Sequence, residues 1–129
     1  MPRFGKRSQQ RLRGVDARLV SVLNEVVKHY DITILEGKRT EERQRELVAK
    51  GASKTMKSKH LEGKAIDVAP YPIPDWDDTY QFIYMAGRVM QEADRLKVHL
   101  RYGGDWDRDD IVVSDQTFQD LVHFEIYDK

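Results

Sequence analysis

The chain has no cysteine among its 129 residues, which excludes disulfide bonds, thiolate metal sites and a cysteine nucleophile. It also lacks an excess of charge of either sign, because 22 lysine and arginine residues balance 22 aspartate and glutamate residues. A dedicated nucleic-acid binder usually carries a strong basic excess, so we expect no nucleic acid as a partner. No apolar run approaches the ~18–20 residues that span a bilayer, and we expect no transmembrane segment.

The N-terminal residues carry basic side chains but no apolar stretch behind them, and we therefore expect no signal peptide. We interpret residues 1–13 as a basic flexible arm, which is either a solvated tail or a segment attracted to an anionic surface. Residues 14–129 are then a single domain with room for one hydrophobic core. The basic residues of the arm are Arg3, Lys6, Arg7, Arg11 and Arg13.

Apolar residues repeat at three- and four-residue spacing over residues 15–29 and 77–96, which predicts two amphipathic helices. Thr40 is the predicted N-cap of another helix, which ends near Lys50. Four short strands are predicted, at residues 32–35, 65–69, 99–102 and 121–127. This order indicates an α+β domain with a small antiparallel sheet and helices packed around it.

Two of these strands alternate apolar and polar side chains. In one strand Ile66 and Val68 point to one side and Asp67 to the other. In the last strand His123 and Glu125 share the polar face. A polar face of this kind is either solvated or the site of some chemistry.

Two imidazoles and one carboxylate are a sufficient protein ligand set for a catalytic zinc. His60 lies in a polar loop shortly before Asp67, and Gly63 allows a turn that folds this loop back over the strand. His123 can supply the third ligand only if the fold brings its strand next to that of Asp67. The metal site is therefore also a prediction about architecture, and its ligand set suits several divalent ions.

Two patterns of this chain resemble the zinc signature of the D-alanyl-D-alanine carboxypeptidase and dipeptidase family (peptidase family M15): Ser58-x-His60-x-x-Gly63-x-Ala65-x-Asp67 and Asp120-x-x-His123-x-Glu125. Residues 37–44, GKRTEERQ, resemble the family's Gly-x-Arg-[Ser/Thr]-x-x-x-Gln segment. The resemblance extends over about residues 15–127. It is strongest to the phage endolysins that cut the L-alanyl-D-glutamate bond of peptidoglycan.

The resemblance implies a metal site on the open face of the sheet, as in D,D-peptidases and hedgehog domains. It implies one Zn²⁺ per chain, bound by His60, Asp67 and His123. Arg39 is implied to hold the substrate or to stabilise the transition state, and Ser58 to contact the substrate or support a ligand. An arginine in this place can also be a surface residue that pairs with Glu36 or Glu41.

Two acids compete for the role of general base. Strand parity puts Glu125 on the same face as His123 and Asp120 on the opposite face. The resemblance favours Asp120, which fits if the strand begins only at Leu121. We assign Asp120 as the base, and Glu125 is then a candidate for orienting a ligand histidine.

The resulting hypothesis is a zinc metallopeptidase that cleaves peptidoglycan stem peptides, as a phage endolysin that hydrolyses the L-Ala–D-Glu bond for host lysis. We expect a monomer that is synthesised in the host cytoplasm and acts on the cell wall after release across the membrane. The alternatives are a D-Ala-D-Ala dipeptidase or carboxypeptidase and a non-catalytic zinc-containing binding module. A metal nuclease that uses the basic arm is disfavoured by the neutral net charge.

An acidic loop follows Gly103 and Gly104 and resembles the start of a calcium loop. Its acids are Asp105, Asp107, Asp109 and Asp110. The glycine expected in such a loop is replaced by Asp110, and Gln116 stands where a bidentate glutamate is expected. We interpret Asp105–Asp110 as a solvated loop, with Ca²⁺ binding as the alternative.

Overall fold

A computed structural model of the chain describes residues 3–51, 58–105, 108 and 120–127. The α-helices are α1 (Lys6–Arg11), α2 (Ala17–Val27), α3 (Glu41–Ala49) and α4 (Thr79–Arg95), and a 3₁₀ helix covers Lys59–Glu62. The strands are β1 (Ile32–Glu36), β2 (Ala65–Pro70), β3 (Leu100–Tyr102) and β4 (His123–Ile126). Within the described ranges, no helix is long and apolar enough to cross a membrane.

The four strands form one antiparallel sheet in the order β1-β2-β4-β3. The last strand of the chain therefore lies between β2 and β3. The register places Asp67 directly opposite His123, and Ala65 opposite Glu125. The predicted α+β class with a small antiparallel sheet is confirmed, and β4 joins the two halves of the sequence signature.

One face of the sheet forms the hydrophobic core together with α2 and α4. Ile66, Val68 and Phe124 have no exposed surface, as their alternating positions predict. Full burial of one such side chain stabilises the fold by about 1.5–3 kcal/mol. The opposite face carries the polar residues of β2 and β4, and the core face positions them by holding the strands in register.

Side-chain caps set the helix boundaries within two or three residues of those predicted. The Thr40 hydroxyl accepts a hydrogen bond from the Arg43 N–H at 3.1 Å, which confirms Thr40 as the N-cap of α3. The Asp16 carboxylate accepts from the Arg18 N–H at 2.9 Å, so α2 begins at Ala17 rather than at residue 15. Satisfying these first N–H groups is what a cap contributes to the helix.

The N-terminal segment, which was predicted as a basic flexible arm over residues 1–13, contains a short helix. Within its described part, α1 packs beside β1 and the Phe4 side chain is only 5% exposed. The Ser8 hydroxyl accepts from the Ile34 N–H at 3.1 Å, and the Arg11 guanidinium donates to the Ile34 carbonyl at 2.8 Å. These side chains satisfy backbone groups of the edge strand, a tertiary role that charge composition does not reveal.

Candidate metal centre

The three predicted ligands meet on the polar face of the sheet. His60 Nε2 lies 3.3 Å from Asp67 Oδ1, and His123 Nδ1 lies 3.2 Å from the same oxygen. The candidate ligand atoms of the three residues all lie within 4.8 Å of one another. Both histidines are buried and Asp67 is half-buried. The structure therefore brings together the three residues that the sequence analysis selected.

A short 3₁₀ helix places His60 over β2. It begins at Ser58, whose hydroxyl accepts a hydrogen bond from the His60 N–H at 3.2 Å. It ends at Gly63, which has φ +73°, a left-handed conformation that favours glycine. A Cβ at Gly63 would lie 2.2 Å from the Gly14 carbonyl oxygen. The Ser58 side chain thus caps the helix that carries His60, and Gly63 makes the turn that the sequence predicted.

The second nitrogen of each histidine has a partner of its own. His60 Nδ1 lies 2.8 Å from the Gly37 carbonyl oxygen, which can only accept, so Nδ1–H donates and Nε2 faces Asp67. His123 Nε2 lies 2.9 Å from Glu125 Oε1, which leaves Nδ1 toward Asp67. Metal-bound histidines almost always donate their other N–H in this way. The donor set and its orientation fit a divalent metal ion with three protein ligands.

Glu125 connects three elements behind His123. Arg101 Nη2 of β3 donates to Glu125 Oε2 at 2.6 Å, and Lys59 Nζ lies 3.6 Å from the same oxygen. Lys59 also donates to the Ile126 carbonyl. Since Lys59 precedes His60, this side chain ties the 3₁₀ helix to β4. Glu125 and Asp67 contact different ring nitrogens of His123, so Glu125 lies on the side of the ring that faces away from Asp67.

Lys59 and Arg101 were not among the predicted site residues. Arg101 lies directly opposite Glu125 in the β3–β4 register. The sequence feature that could have identified this pair is the placement of Arg101 and Glu125, which carry opposite charges, on two predicted strands. Using it requires knowing that the two strands are neighbours, and strand order is a tertiary property.

The charges of the centre stabilise one another. Burial opposes the charged form of Asp67, but hydrogen bonds with His123 and His60 outweigh it and lower the pKa of this carboxyl well below its usual range. Burial likewise opposes a charged His123, but Asp67 and Glu125 raise the pKa of the imidazole to about 9. For Glu125, burial is outweighed by His123 and Arg101, and the pKa falls to about 2.

Asp120 lies in the turn before β4, which begins only at His123. Its N–H donates to the Gly103 carbonyl at 3.0 Å, and its own carbonyl accepts from the His123 N–H at 3.2 Å. A Cβ at Gly103 would lie 2.0 Å from the Asp120 carbonyl oxygen, so only glycine permits this approach. Because Asp120 is outside the strand, strand parity does not apply to it.

The electrostatic surroundings of Asp120 differ from those of the other acids. Burial raises the pKa of its carboxyl, and the negative charge of Asp67 raises it further. The positive charges of His123 and His60 act in the opposite direction but do not cancel the rise. A carboxyl whose pKa is raised toward the working pH is suited to exchanging protons.

Arg39 is held from three sides. Its Nε and Nη2 atoms donate to the two carboxylate oxygens of Glu36 at 2.6 and 3.0 Å, and Nη1 donates to Gln44 at 2.7 Å. Its side chain is 9% exposed, so the surface-arginine alternative is right about the Glu36 partner and wrong about exposure. The Arg39 N–H also donates to the His60 carbonyl at 2.8 Å, which links this segment to the metal centre.

The acidic loop considered for Ca²⁺ lies largely outside the described residues. Asp105 is described and buried, and its N–H donates to the Tyr102 carbonyl at 3.0 Å. Asp107, Asp109 and Asp110 lie outside the described ranges. Calcium binding at Asp105–Asp110 remains a sequence prediction.

Comparisons with known proteins point to a single family. A family model for phage L-alanyl-D-glutamate peptidase matches residues 1–127. The L-alanyl-D-glutamate peptidase of Escherichia phage T5 is 36% identical over 111 residues, which cover 81% of this chain and 81% of that protein.

The fold is also similar to solved structures. The Serratia marcescens L-Ala D-Glu endopeptidase ChiX matches with a TM-score of 0.79 at 31% identity, over 97% of this chain and 90% of that one. The vancomycin resistance D,D-pentapeptidase VanY of a VanB-type cassette, in complex with Zn(II), matches with a TM-score of 0.55 at 16% identity. That match covers 87% of this chain and 72% of VanY, and at this identity it shows a shared fold alone.

Proposed function

Because the chain belongs to the phage L-alanyl-D-glutamate peptidase family, we propose that it is a zinc endopeptidase that hydrolyses the L-Ala–D-Glu bond of peptidoglycan stem peptides. The observation that carries the proposal is the convergence of three ligand side chains on one point, with both histidines oriented from behind. An orienting shell of this kind is typical of a metal site.

His60, Asp67 and His123 would hold the metal through Nε2, a carboxylate oxygen and Nδ1. Two histidines and one carboxylate leave a coordination position open, which is the arrangement of catalytic rather than structural zinc sites. When bound, zinc supplies Lewis acidity, which polarises a scissile carbonyl and makes water a better nucleophile. We propose zinc as the ion because this donor set is the one that catalytic zinc sites use.

Asp120 is the proposed general base and acid. Its half-buried carboxyl with a raised pKa would take a proton from the attacking water and pass it to the amine of the departing D-glutamyl residue. Glu125 is less suited to this task, because His123 and Arg101 occupy its two oxygens and hold its pKa at about 2. We assign Glu125 the orienting role instead.

Arg39 contributes two further donors to the substrate side. A guanidinium has five N–H groups, and Glu36 and Gln44 use three of them. The remaining two N–H groups would suit a substrate oxygen or a developing oxyanion, and the Arg39 backbone N–H connects this segment to His60. Ser58 acts indirectly, by capping the helix that carries His60.

The biological setting follows from the same family. We propose that the chain acts as a monomer on the host cell wall, for host lysis, after synthesis in the host cytoplasm and release across the membrane. The T5 and Serratia relatives are both described as enzymes for the L-Ala–D-Glu bond, which supports this scissile bond over a D-Ala-D-Ala bond.

Digestion of purified Gram-negative peptidoglycan with and without a chelator tests the proposal, with mass analysis of the fragments. We expect chelator-sensitive release of fragments with new D-glutamyl amino termini and L-alanyl carboxyl termini. Loss of terminal D-alanine alone would replace the proposal with a dipeptidase or carboxypeptidase. One bound zinc per chain without any cleavage would support a binding module.

Asp120→Asn separates chemistry from metal binding in the same assay. Since a positioned general base contributes about 10²–10⁴-fold, we expect kcat to fall by that factor while the zinc content stays at that of the wild type. Asp94→Asn, at an exposed acid of α4, is the matched control. An Asp120→Asn enzyme with full activity would contradict the assignment.

A further inference from the structure

A cavity of about 720 Å³ lies against the segments that carry His60 and its hydrogen-bond partner Gly37. It is lined by Arg13, Lys38, Arg39, Thr40, Glu41 and Leu61. Two of these residues are immediate neighbours of groups that build the centre. Leu61 follows the ligand His60, and Lys38 follows Gly37, whose carbonyl orients the His60 ring. A substrate that extends from His60 along these two segments would reach this cavity.

The available positive charge in this cavity belongs to Arg13 and Lys38. The charge of Arg39 is compensated by the two-oxygen ion pair with Glu36, and the acidic Glu41 lies 3.5 Å from Arg45. Within the part of the chain that the structure describes, Arg13 and Lys38 are exposed and form no ion pair. Among the described residues, these two cations of the cavity wall therefore have no ion-pair partner.

The chain holds these two cations near each other. The aliphatic part of Lys38 runs over the loop between α1 and α2, where a Cβ added to Gly14 would lie 3.0 Å from Lys38 Cδ. Arg13 directly precedes Gly14 in this loop, whose place is set by the packing of α1 against β1. The packing of α1 against β1 therefore places Arg13 at the wall of the cavity.

We infer that Arg13 and Lys38 form a subsite for a carboxylate of the substrate, on the side of the departing residue. This inference rests on the proposed function. A glutamyl residue carries a second carboxylate besides the carboxyl that continues the chain, and hydrolysis of an L-Ala–D-Glu bond leaves it on the amine product. Lysine and arginine at an open cavity attract such an anion in a salt-dependent way.

The test compares two synthetic peptides that contain the L-Ala–D-Glu bond and differ only in the second glutamyl carboxyl, which is free or amidated. The zinc-loaded wild type is compared with Arg13→Met, Lys38→Met and the double variant. Lys50→Met is the matched control, since this exposed lysine ends α3, about 15 Å along the helix from Thr40. Zinc content and thermal midpoint are measured for every variant.

We expect amidation to lower the kcat/KM of the wild type about three- to tenfold, mainly through KM, and less in 0.5 M salt. The double variant should lose a similar factor on the acid peptide and show no further loss on the amidated one. Zinc content and the Lys50→Met control should match the wild type.

Two results would overturn the subsite. One is a double variant that still discriminates against the amidated peptide as the wild type does, and the other is an equal loss on both peptides. A wild type that cleaves the acid and the amidated peptide with equal kcat/KM would also reject it. Failure of the proposed function is a distinct result, because neither peptides nor peptidoglycan would then be cleaved at this bond.

Discussion

The two faces of the sheet are both largely removed from water, but by different means. On the core face, Ile66 and Phe124 are enclosed by apolar side chains of α2 and α4. On the other face, His123 is 8% exposed and Glu125 is 6% exposed, and both are surrounded by charged partners. Burial therefore does not distinguish core from site in this protein, whereas the kind of partner does.

The two faces also contribute differently to the stability of the fold. Apolar burial is a net gain of roughly 25 cal/mol for each Å² removed from water. A buried ionic network recovers through pairing about what it loses in desolvation, so it is weak evidence for stability. The network of His60, Asp67, His123 and Glu125 is better explained by its geometry, in which a ring nitrogen of each histidine faces the same Asp67 oxygen.

Among substitutions on the two faces, we expect the largest loss of zinc binding and activity from Asp67→Ala on the polar face. Removing the carboxylate shared by both histidines should abolish stoichiometric zinc binding and turnover together, because only two protein ligands remain. Metal analysis after gel filtration and the peptidoglycan assay measure both. Asp94→Ala, at an exposed acid, should change neither, and a zinc-loaded Asp67→Ala protein would exclude this residue as a ligand.

The next effect is expected from Phe124→Ala on the core face. This substitution should lower the free energy of unfolding by about 3–5 kcal/mol, because it leaves a cavity among fully buried side chains. Denaturant unfolding of the metal-free protein measures it. Tyr80→Ala, at a tyrosine that is 87% exposed, should change stability by less than about 0.5 kcal/mol.

The Phe124→Ala protein that remains folded should bind zinc within a few-fold of the wild-type affinity. Phe124 contributes to the opposite face from His123, so its loss should act on stability rather than on the ligands. A parallel loss of zinc affinity would mean that the two faces are not energetically separable.

A smaller effect is expected from Arg101→Met, behind the metal ligands. Arg101 holds Glu125, which holds the His123 ring, so zinc affinity should fall about tenfold, at the lower end of the range for such outer residues. Competition with a chromogenic chelator measures it. Arg95→Met removes an exposed pair with Glu92 and should leave the affinity unchanged. A change in stability alone would make Arg101 a purely structural residue.

The smallest effect is expected from pH in the metal-free protein. The pKa of His123 is about 9 in the folded state and 6.5 as the ordinary value, so its contribution to stability is complete below pH 6.5 and is lost as pH rises toward 9. We expect the thermal midpoint to fall over this window, because His123 loses the positive charge that pairs with Asp67 and Glu125. Differential scanning calorimetry at pH 6.5 and 9 measures it.

His123→Asn provides the control for this pH dependence and should flatten it. Zinc should reverse the trend in the wild type, because metal binding displaces the His123 proton and becomes stronger as pH rises. A metal-free wild type whose midpoint is constant from pH 6.5 to 9 would mean that the imidazole is neutral in the folded protein.

The sequence predicted the local features of the fold well. The apolar repeats in α2 and α4, the Thr40 cap and the alternation around Asp67 and His123 all depend on residues within a few positions of one another. It predicted α1 poorly, because a six-residue basic helix has too short an apolar pattern to be recognised. What holds α1 is its contact with Ile34, which lies more than twenty positions further along the chain.

The sequence by itself determined which side chains are available as ligands, which strand face each one occupies and that no thiolate competes with them. Only the tertiary structure decided that β4 lies between β2 and β3, that Asp67 is opposite His123 and that Arg101 is paired with Glu125. The physical reason is range. Side-chain alternation and helix periodicity are set by backbone geometry between near neighbours, whereas strand order and the partners of buried charges depend on contacts between distant segments.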